Sequence, residues 1–421
     1  MAAMKVHGSL RVPGDKSISH RSLILGAIAN GESRIRGILQ SADVHSTAGV
    51  LRALGVQIPD LTTDITVRGV GLRGLAQPAK PLDCGNSGTT TRLMAGVVAA
   101  TPVEATFVGD ASLSRRPMRR VARPLEAMGA KVELPEHGGL PMLIHGGALH
   151  SLTWTSETAS AQVKSAILLA ALVAGVQAEV NEPVTTRDHT ERMLMARGVK
   201  LAVDGQRVHI DPSDHVEATD VVVPGDPSSA AFFAGLAAIA DEGSIRLDNV
   251  CVNETRKGFF YQLRLAGADV REENRRIEGG EPVADLIIAP GPLRGTVVEG
   301  ARVPSMVDEL PLLACIATRA EGETLITGAG ELRVKESDRI TAVVDNLLAI
   351  GADAEELPDG MRIRGSDRPL EGRVHTHGDH RLAMAFGVLA AARGNSIAID
   401  DRDCVAVSYP GFWSDLERVV A

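Results

Sequence analysis

The stretch SISHRSLILGAIANG, residues 17–31, shows the pattern that organises the chain: a polar residue opens an apolar helix rich in small side chains. Five further segments repeat this pattern at intervals of about 70 residues, namely 86–100, 160–175, 226–240, 308–322 and 379–394. These helices are apolar on all sides, which is typical of helices enclosed by their neighbours. The sequence therefore predicts six copies of one structural unit.

A second, more polar helix is predicted in each unit, and strand-like residues follow it. Five of these helices stop at a glycine, and the glycines are Gly55, Gly129, Gly198, Gly267 and Gly351. The sixth copy falls at 412–421. A glycine just past a helix commonly takes the left-handed conformation that ends it. Short β-rich stretches such as TDITVRGV, residues 63–70, lie between the helices. The pattern indicates an α/β fold.

The tetrapeptide Val-Pro-Gly-Asp occurs at 12–15 and again at 223–226, half the chain apart. Because proline and glycine interrupt helices and strands, both sites are predicted crossovers. We expect two pseudo-equivalent domains of three units each, one covering 14–224 and the other 1–13 plus 225–421, with a hinge near 12–15 and 223–226. An open solenoid of six units is the alternative.

Composition restricts the class of protein. A chain of 421 residues is long enough for more than one core. Its 7 Phe, 2 Trp and 2 Tyr and its net charge of −9 argue against a nucleic-acid binder. The longest apolar run, 166–176, is too short to span a membrane, and the N-terminus does not resemble a signal peptide. The four cysteines form no CxxC pair. We expect a soluble cytoplasmic protein that acts on a small molecule.

Three segments combine helix starts with cations, which together suit a phosphate or a carboxylate. Lys16, Ser17 and Arg21 lie in PGDKSISHR, where Lys16 is expected to precede the helix. No glycine directly precedes this lysine, so the segment is not a Walker loop. CGNSGTTTR (84–92) offers glycines and hydroxyls, and SLSRRPMRR (112–120) offers four arginines. Ordinary helix caps, a plain turn and a solvated basic face are the alternatives.

Carboxylates set among cations mark two further segments. LRVKESDR (332–339) contains Lys335, Glu336 and Arg339, and VDELP (307–311) places Asp308 at a predicted helix start. Carboxylates in such surroundings can have the shifted pKa values that proton transfer requires, although surface ion pairs would also explain them. HTHGDHR (375–381) contains three histidines, but a cationic helix start is a better interpretation than a metal site.

Seven motifs in order carry a resemblance to a known family: PGDKSISHR, GNSGTTTR, SRRPM, SAQVKSA, TRDHTERM, LRVKESDR and GDHR. From residue 5 to about 413 the chain resembles the 5-enolpyruvylshikimate-3-phosphate synthases. The resemblance implies an inside-out α/β barrel fold, with two pseudo-equivalent domains each built from three βαβαββ repeats. It also implies transfer of the carboxyvinyl group of phosphoenolpyruvate to the 5-hydroxyl of shikimate 3-phosphate, which releases phosphate. This is step six of chorismate biosynthesis.

The resemblance further implies a cytoplasmic monomer that needs no metal or organic cofactor and binds neither nucleic acid nor membrane. The residues implied to hold shikimate 3-phosphate are Lys16, Ser17, Arg21, Ser160, Ala161, Gln162, Arg187, Asp308 and Lys335. Those implied to hold phosphoenolpyruvate are Lys16, Gly88, Arg116, Gln162, Arg339 and Arg381. Asp308 is implied as acid/base at the 5-hydroxyl and Glu336 at the methylene carbon, with Lys16 as a third catalytic residue. The residues alone leave open which group moves which proton.

Two departures from the family pattern stand out. Many relatives carry a lysine near the proline of the SYPGF segment (408–412), where this chain reads AVAVSYPGFW. The segment 86–93 resembles the subgroup that is often less sensitive to glyphosate, yet Gly88 leaves room where bulk disfavours that inhibitor. Sensitivity is therefore left open.

Three rival functions are considered. The first is the sister enolpyruvyl transferase acting on UDP-N-acetylglucosamine, which has Lys-Asn where this chain has Lys16-Ser17. That enzyme usually has a cysteine in a mobile loop, whereas the corresponding segment of this chain, 109–119, contains no cysteine. The second is a non-catalytic repeat scaffold that binds a protein partner, and the third is a metal hydrolase at the histidine cluster. We expect the shikimate 3-phosphate reaction.

Overall fold

The computed structural model describes residues 3–420, and in it helices and short strands alternate along the chain. The α-helices are α1 (Lys16–Ile28), α2 (Ala42–Ala53), α3 (Gly88–Ala99), α4 (Ala111–Arg115), α5 (Arg119–Ala127), α6 (Ala161–Ala174), α7 (His189–Met195), α8 (Pro227–Ala238), α9 (Gly258–Ala266), α10 (Leu310–Ala317), α11 (Arg339–Ala349), α12 (His380–Ala391) and α13 (Phe412–Val419). Short 3₁₀ helices cover Gly300–Ser305, Val307–Glu309, Gly330–Val334 and Asp403–Val407.

The strands are short, and most of them lie in three- or four-stranded sheets. They are β1 (Lys5–Val6), β2 (Ser9–Leu10), β3 (Glu32–Arg36), β4 (Asp64–Arg68), β5 (Leu82–Asp83), β6 (Glu104–Val108), β7 (Lys131–Glu133), β8 (Met142–His145), β9 (Leu152–Thr155), β10 (Ala178–Asn181), β11 (Leu201–Asp204), β12 (Arg207–Ile210), β13 (Val221–Val222), β14 (Glu242–Gly243), β15 (Ile245–Cys251), β16 (Asp269–Glu278), β17 (Glu281–Ala289), β18 (Val297–Val298), β19 (Glu323–Ile326), β20 (Asp353–Leu357), β21 (Gly360–Arg364), β22 (Glu371–Val374) and β23 (Ser396–Ile399). The chain thus has an α/β fold.

The chain divides into two compact units. The N-terminal-half unit comprises Gly14–Val223 together with Glu278–Glu281. The C-terminal-half unit comprises the segment that ends at Pro13, Pro224–Ile277 and the segment that begins at Pro282. The assignment of 278–281 to the N-terminal-half unit was not indicated by the sequence.

The N-terminal-half unit contains three sheets, with strand orders β13-β3-β4, β5-β6-β8-β7 and β11-β12-β10-β9. In the last of these, β9 pairs parallel with β10, and β12 pairs antiparallel with both β10 and β11. Its strands and helices follow each other along the chain as β9, α6, β10, α7, β11 and β12. A parallel pair joined through a helix, then an antiparallel hairpin, therefore makes up this sheet.

The C-terminal-half unit contains two four-stranded sheets, β16-β17-β15-β2 and β18-β19-β21-β20, and the pairs β1-β14 and β22-β23. The β18 sheet repeats the same arrangement: β18 pairs parallel with β19, and β21 pairs antiparallel with β19 and β20. One hydrophobic core runs through this unit, from Met4 to Val419. Phe232, Phe233, Tyr409 and Phe412 form a ring cluster in it, with centroids 5.7–5.9 Å apart.

The six apolar segments predicted from the sequence form helices, namely α1, α3, α6, α8, α10 and α12. They are buried along most of their length. Gly96 of α3 shows how closely these helices pack, since a Cβ there would meet the Ala166 carbonyl oxygen of α6 at 2.2 Å. The five predicted stop glycines all have positive φ, between 80° and 108°. Both predictions are confirmed.

Two predicted helix starts are wrong in detail. The first helix begins at Lys16 and is capped by Asp15, whereas the sequence analysis placed Lys16 before the helix. Asp308 and Glu309 lie in a 3₁₀ turn, and the α-helix begins only at Leu310. Pro311 lies in the first turn of this helix, where a proline is tolerated because the backbone N–H of that turn has no partner within the helix. No helix within residues 3–420 is long and apolar enough to cross a membrane.

Candidate active site

In the N-terminal-half unit, Lys16 is fixed at the first turn of α1. The Asp15 carboxylate caps the helix by accepting a hydrogen bond of 2.8 Å from the Ile18 backbone N–H. Lys16 Nζ donates to Asp43 Oδ2 at 3.0 Å, and about a fifth of the Lys16 side chain remains exposed. The ammonium group therefore lies at a helix N-terminus, where the helix dipole adds to its attraction for an anion.

Arg21 lies one turn further along α1, and its guanidinium is held by neutral oxygens. Arg21 Nε donates to Thr190 Oγ1 at 2.7 Å, and its NH2 nitrogen donates to Ser165 Oγ at 2.8 Å. The NH1 nitrogen donates to the Ser17 carbonyl at 3.0 Å. Burial lowers the pKa of Arg21 to about 10, partly offset by Glu191, and the positive charge of Arg187 lowers it further. Arg21 therefore remains a cation at neutral pH.

A buried ion cluster supports the two hydroxyl groups that hold Arg21. Lys164 Nζ on α6 lies 2.7 Å from carboxylate oxygens of both Glu182 and Glu191, and all three side chains are at most 2% exposed. Burial opposes the charge on Lys164, but the two carboxylates prevail and raise its pKa. Ser165 and Thr190 follow and precede members of this cluster along the chain, and their hydroxyl oxygens lie 2.7 Å apart, within hydrogen-bond distance.

Gly88, Arg92 and Arg116 lie together at the start of α3. Ser87 caps this helix by accepting a hydrogen bond from the Thr90 N–H at 3.1 Å. A Cβ built on Gly88 would lie 3.0 Å from NH1 of Arg92 and 3.4 Å from NH1 of Arg116. Arg116 also donates to the Asn86 side-chain oxygen at 2.6 Å. The absence of a side chain at Gly88 thus lets two guanidinium groups approach one helix N-terminus.

The first turn of α6 reaches the same place. Ser160 caps α6 by accepting from the Val163 N–H at 3.4 Å, and Ala161 is the first residue of the helix. Gln162 accepts a hydrogen bond of 2.5 Å from Arg92 and donates one of 2.8 Å to Thr89 Oγ1. The SAQ segment and the GNSGTTTR segment, 70 residues apart, therefore form one surface.

In the C-terminal-half unit, the Asp308 carboxylate is surrounded by three cations. Arg339 NH1 lies 3.6 Å from Asp308 Oδ1, Lys335 Nζ lies 4.0 Å from the same oxygen, and Arg381 NH2 lies 3.8 Å from Oδ2. Arg381 NH1 is also 3.8 Å from the buried Glu309 carboxylate. Burial lowers the pKa of Lys335, and the negative charge of Asp308 partly offsets this effect. The residues that the sequence analysis selected from 307–311, 332–339 and 375–381 are therefore neighbours.

Arg339 is held from both sides by carboxylates. It donates to both oxygens of Asp379 at 2.8 and 3.1 Å, and its NH2 nitrogen lies 2.7 Å from Glu336 Oε2. Burial would raise the pKa of Asp379, but the Arg339 guanidinium outweighs that effect and lowers it. Asp379 also caps α12 through the Arg381 N–H at 3.0 Å and accepts from Ser337 Oγ at 3.0 Å. The buried Asp379 carboxylate thus fixes the Arg339 side chain, the Arg381 backbone and Ser337, the residue that follows Glu336.

The histidines of 375–381 do not converge on one point. His375 Nδ1 lies 3.2 Å from Asp400, His377 is exposed in a turn with φ of 54°, and His380 is buried at the start of α12. Within residues 3–420 no group of three or more His, Cys, Asp or Glu side chains has a metal-binding arrangement.

Sequence reasoning did not select several residues that shape these surfaces. Asp379 was recognised only as the residue that opens a helix, and Arg92 only as the end of a glycine-rich segment. Asp43, Ser165 and Thr190 contact Lys16 or Arg21 but come from distant elements. A helix-opening acid two residues before Arg381 was the one local signal available for Asp379.

Each unit thus carries a cationic surface suited to small anions. The surface of the N-terminal-half unit combines helix N-termini with Lys16, Arg21 and Arg116. That of the C-terminal-half unit adds the carboxylates of Asp308 and Glu336 to its cations, which suits proton transfer beside an anionic ligand.

Comparison with known proteins agrees with this chemistry. A sequence profile described as EPSP synthase (3-phosphoshikimate 1-carboxyvinyltransferase) matches residues 2–416. The 3-phosphoshikimate 1-carboxyvinyltransferase of Sulfurihydrogenibium sp. (strain YO3AOP1) is 50% identical over 420 residues, which cover 99% of this chain and 97% of that protein. The enzyme of that name from Alkalilimnicola ehrlichii is 51% identical over 409 residues, with 97% and 92% covered.

A solved structure of EPSP synthase from Acinetobacter baumannii has a TM-score of 0.88 to this fold and 41% sequence identity. The match covers 100% of this chain and 98% of that one. The agreement of sequence and fold over almost the whole length leads to one conclusion: the chain belongs to the EPSP synthase (3-phosphoshikimate 1-carboxyvinyltransferase) family.

Proposed function

We propose that the two cationic surfaces described above serve a single reaction, the one this family catalyses. As a member of the family, the chain is an enolpyruvyl transferase that moves the carboxyvinyl group of phosphoenolpyruvate to shikimate 3-phosphate in aromatic amino acid biosynthesis. The observation that supports the residue assignment best is the Asp308 carboxylate lying within 4.0 Å of the cationic groups of Lys335, Arg339 and Arg381.

Shikimate 3-phosphate is assigned to residues of both units. In the N-terminal-half unit these are Lys16, Ser17, Arg21, Ser160, Ala161, Gln162 and Arg187, and in the C-terminal-half unit they are Asp308 and Lys335. The hydroxyl network around Arg21 supports the assignment, because it fixes a guanidinium group without neutralising it. A guanidinium group fixed in this way attracts phosphate strongly.

Phosphoenolpyruvate is assigned to Lys16, Gly88, Arg116, Gln162, Arg339 and Arg381. Two anionic substrates repel each other, so several cations must offset that repulsion while they react. The approach of guanidinium groups to Gly88 supports this assignment in the N-terminal-half unit. The pairing of Arg339 with Asp379 supports it in the C-terminal-half unit, since it keeps Arg339 in a fixed position.

The chemistry requires proton transfer at two atoms. The 5-hydroxyl of shikimate 3-phosphate loses its proton as its oxygen bonds to C2 of phosphoenolpyruvate, and the methylene carbon C3 gains a proton. The tetrahedral adduct then loses a proton from C3 and expels phosphate from C2, which restores the double bond. We assign Asp308 to the 5-hydroxyl and Glu336 to the methylene carbon, with Lys16 as the third catalytic residue.

The finer features of the fold are part of the same proposal. We assign an inside-out α/β barrel with two pseudo-equivalent domains of three βαβαββ repeats, 14–224 and 1–13 plus 225–421. The hinge is assigned to 12–15 and 223–226. The order β9, α6, β10, α7, β11 and β12 supports such a repeat. A monomer in the cytoplasm that binds neither membrane nor nucleic acid remains a prediction.

A phosphate-release assay tests the proposed function. The purified protein is mixed with phosphoenolpyruvate and shikimate 3-phosphate, and inorganic phosphate is measured over time. We expect release that depends on both compounds. Release with UDP-N-acetylglucosamine in place of shikimate 3-phosphate, and none with shikimate 3-phosphate, would assign the chain to the sister reaction.

A further inference from the structure

The Gln162 side chain is held at both ends of its amide by the first turns of α3. Arg92 donates to Gln162 Oε1 at 2.5 Å, and Gln162 Nε2 donates to Thr89 Oγ1 at 2.8 Å. An isolated glutamine amide can rotate by half a turn and exchange its donor and acceptor ends. Here only one orientation satisfies both partners, because a guanidinium group can donate but cannot accept.

This orientation leaves one hydrogen of the amide for a ligand. Of the two hydrogens on Gln162 Nε2, one is used by Thr89, and no other acceptor for this nitrogen is found among residues 3–420. The Gln162 side chain is only partly buried, at the N-terminal turn of α6. A ligand oxygen is the matching partner for such a donor.

The guanidinium of Arg92 itself lies beside Gly88. A Cβ on Gly88 would be 3.0 Å from NH1 of Arg92, the nitrogen that donates to Gln162, and 3.4 Å from NH1 of Arg116. Arg92 is 9% exposed. It is therefore a nearly buried side chain between the first turns of α3 and α6, next to Gly88 and Gln162, two of the residues assigned above to phosphoenolpyruvate.

We propose that Arg92 is a positioning residue for enolpyruvyl transfer: it fixes the Gln162 amide so that the remaining N–H of Gln162 donates to an oxygen of phosphoenolpyruvate. Without Arg92 the amide is free to present its carbonyl oxygen instead, and that oxygen repels an anionic ligand. This inference rests on the phosphoenolpyruvate role proposed for Gln162. It assigns to Arg92 no contact with the substrate.

Two other roles for Arg92 make different predictions. If Arg92 binds the substrate directly, its loss weakens binding whether or not Gln162 is present. If Arg92 only joins α3 to α6, its loss lowers the thermal stability, and it lowers kcat/KM for both substrates to a similar extent. A double-mutant cycle between Arg92 and Gln162, with both KM values measured, separates the three roles.

The experiment compares the wild type with Arg92→Met, Gln162→Ala, the double variant and Arg92→Lys in the phosphate-release assay. We expect Arg92→Met to raise the KM for phosphoenolpyruvate about tenfold, because an oriented hydrogen bond to an anion is lost. The KM for shikimate 3-phosphate should rise less than that for phosphoenolpyruvate, because eight residues besides Gln162 are assigned to that substrate. In the Gln162→Ala background, Arg92→Met should add less than about a twofold change. Arg92→Lys, which retains a donor, should recover part of the loss.

Arg123→Met is the matched control, since it removes an exposed arginine whose nearest carboxylate, that of Glu157, is 3.6 Å away. A full tenfold effect of Arg92→Met in the Gln162→Ala background would overturn the proposal in favour of direct binding. An unchanged KM in Arg92→Met, or equal losses in all parameters with a lower Tm, would also overturn it. If wild type and Arg123→Met both fail to release phosphate, the proposed function fails, and the role of Arg92 fails with it.

Discussion

The cations of the two units are stabilised by different groups. In the N-terminal-half unit, Arg21 donates to hydroxyls and a carbonyl, and Arg116 donates to the Asn86 amide. In the C-terminal-half unit, Arg339 and Arg381 lie among the carboxylates of Asp308, Glu309, Glu336 and Asp379. Neutral hydrogen-bond partners offset the attraction of a cation for an anion less than directly paired carboxylates do, and carboxylates also add groups that titrate.

Under the proposed function, we infer from this difference a division of labour within one reaction. The N-terminal-half surface is suited to hold anions, and the C-terminal-half surface is suited to move protons beside them. Among the contacts described above, Lys16 is the exception in the first unit, because it donates to the Asp43 carboxylate. That pairing is consistent with a lysine assigned both to binding and to catalysis. The predictions below test the difference, from the largest expected effect to the smallest.

Asp379→Asn tests whether the C-terminal-half surface depends on its buried carboxylate. Asp379 and Arg339 are at most 1% exposed, so removing one charge leaves the other buried without its fork of hydrogen bonds. We expect the free energy of unfolding to fall by about 3–5 kcal/mol, measured by urea denaturation. The matched control is Asp64→Asn, which removes the carboxylate of the exposed pair with Arg34, and its loss should be much smaller. Equal losses in both variants would contradict the buried pairing.

Asp308→Ala tests the proton-transfer role directly. We expect the turnover number to fall by about 10²-fold or more, because a positioned acid/base group is lost. Binding of shikimate 3-phosphate should remain measurable by calorimetry, since eight other residues are assigned to that substrate. An unchanged rate of phosphate release would remove Asp308 from the mechanism.

Lys16→Met tests the exception in the N-terminal-half unit. We expect both the affinity for shikimate 3-phosphate and the turnover number to fall by about tenfold, since one ammonium group serves both steps. Calorimetry gives the first value and phosphate release the second. Full activity in this variant would refute the assignment of Lys16.

His20→Gln tests the pH dependence of the N-terminal-half unit. His20 on α1 is fully buried beside Thr47, at 2.6 Å, and burial lowers its pKa to about 3. The unfolded chain, with a histidine pKa near 6.5, then binds a proton more readily than the folded protein between pH 6.5 and 3. The contribution of His20 to the stability of the wild type should therefore be complete above pH 6.5 and fall as the pH drops towards 3, by up to about 1.4 kcal/mol per pH unit.

Thermal unfolding of His20→Gln and the wild type between pH 7.5 and 4.5 measures this effect. The variant should lose stability less steeply than the wild type on the acid side. Parallel curves would show that His20 is not the buried neutral group that the structure places there.

Arg197→Met tests a cation that neither surface uses. Arg197 is 1% exposed, and among residues 3–420 only its NH1 nitrogen finds a hydrogen-bond partner, the Met193 carbonyl at 3.1 Å. Burial lowers its pKa to about 10. Because a buried charge without a counter-ion costs stability, we expect the methionine variant to be more stable by about 1 kcal/mol. A lower Tm in differential scanning calorimetry would contradict this expectation.

The sequence predicted the parts of the fold that local signals determine. Runs of small apolar residues gave the six inner helices, and single glycines such as Gly267 marked the ends of others, because both signals act within a few residues. The start of α10 was placed too early because a 3₁₀ turn, Val307–Glu309, precedes it. Similarly, the predicted helix opened at Ser17, whereas the side chain of Asp15 caps α1 two residues earlier.

The candidate site was predictable to the extent that its cations and carboxylates occur in short motifs. The partners of these side chains were not predictable, because only tertiary packing brings each pair together. Arg92 meets Gln162 across 70 residues of sequence, and Arg339 meets Asp379 across 40. No periodicity in the sequence encodes such pairs, so the positioning groups emerged only from the structure.

The most direct test of the division of labour measures binding and turnover in parallel for one residue of each surface. Calorimetry gives the Kd of shikimate 3-phosphate, and phosphate release gives the rate, for Arg21→Met and for Glu336→Gln. The account predicts that Arg21→Met weakens binding by about tenfold or more, while Glu336→Gln leaves binding within about twofold and lowers the rate by about 10²-fold. The reverse pattern, with binding lost in Glu336→Gln and retained in Arg21→Met, would contradict it.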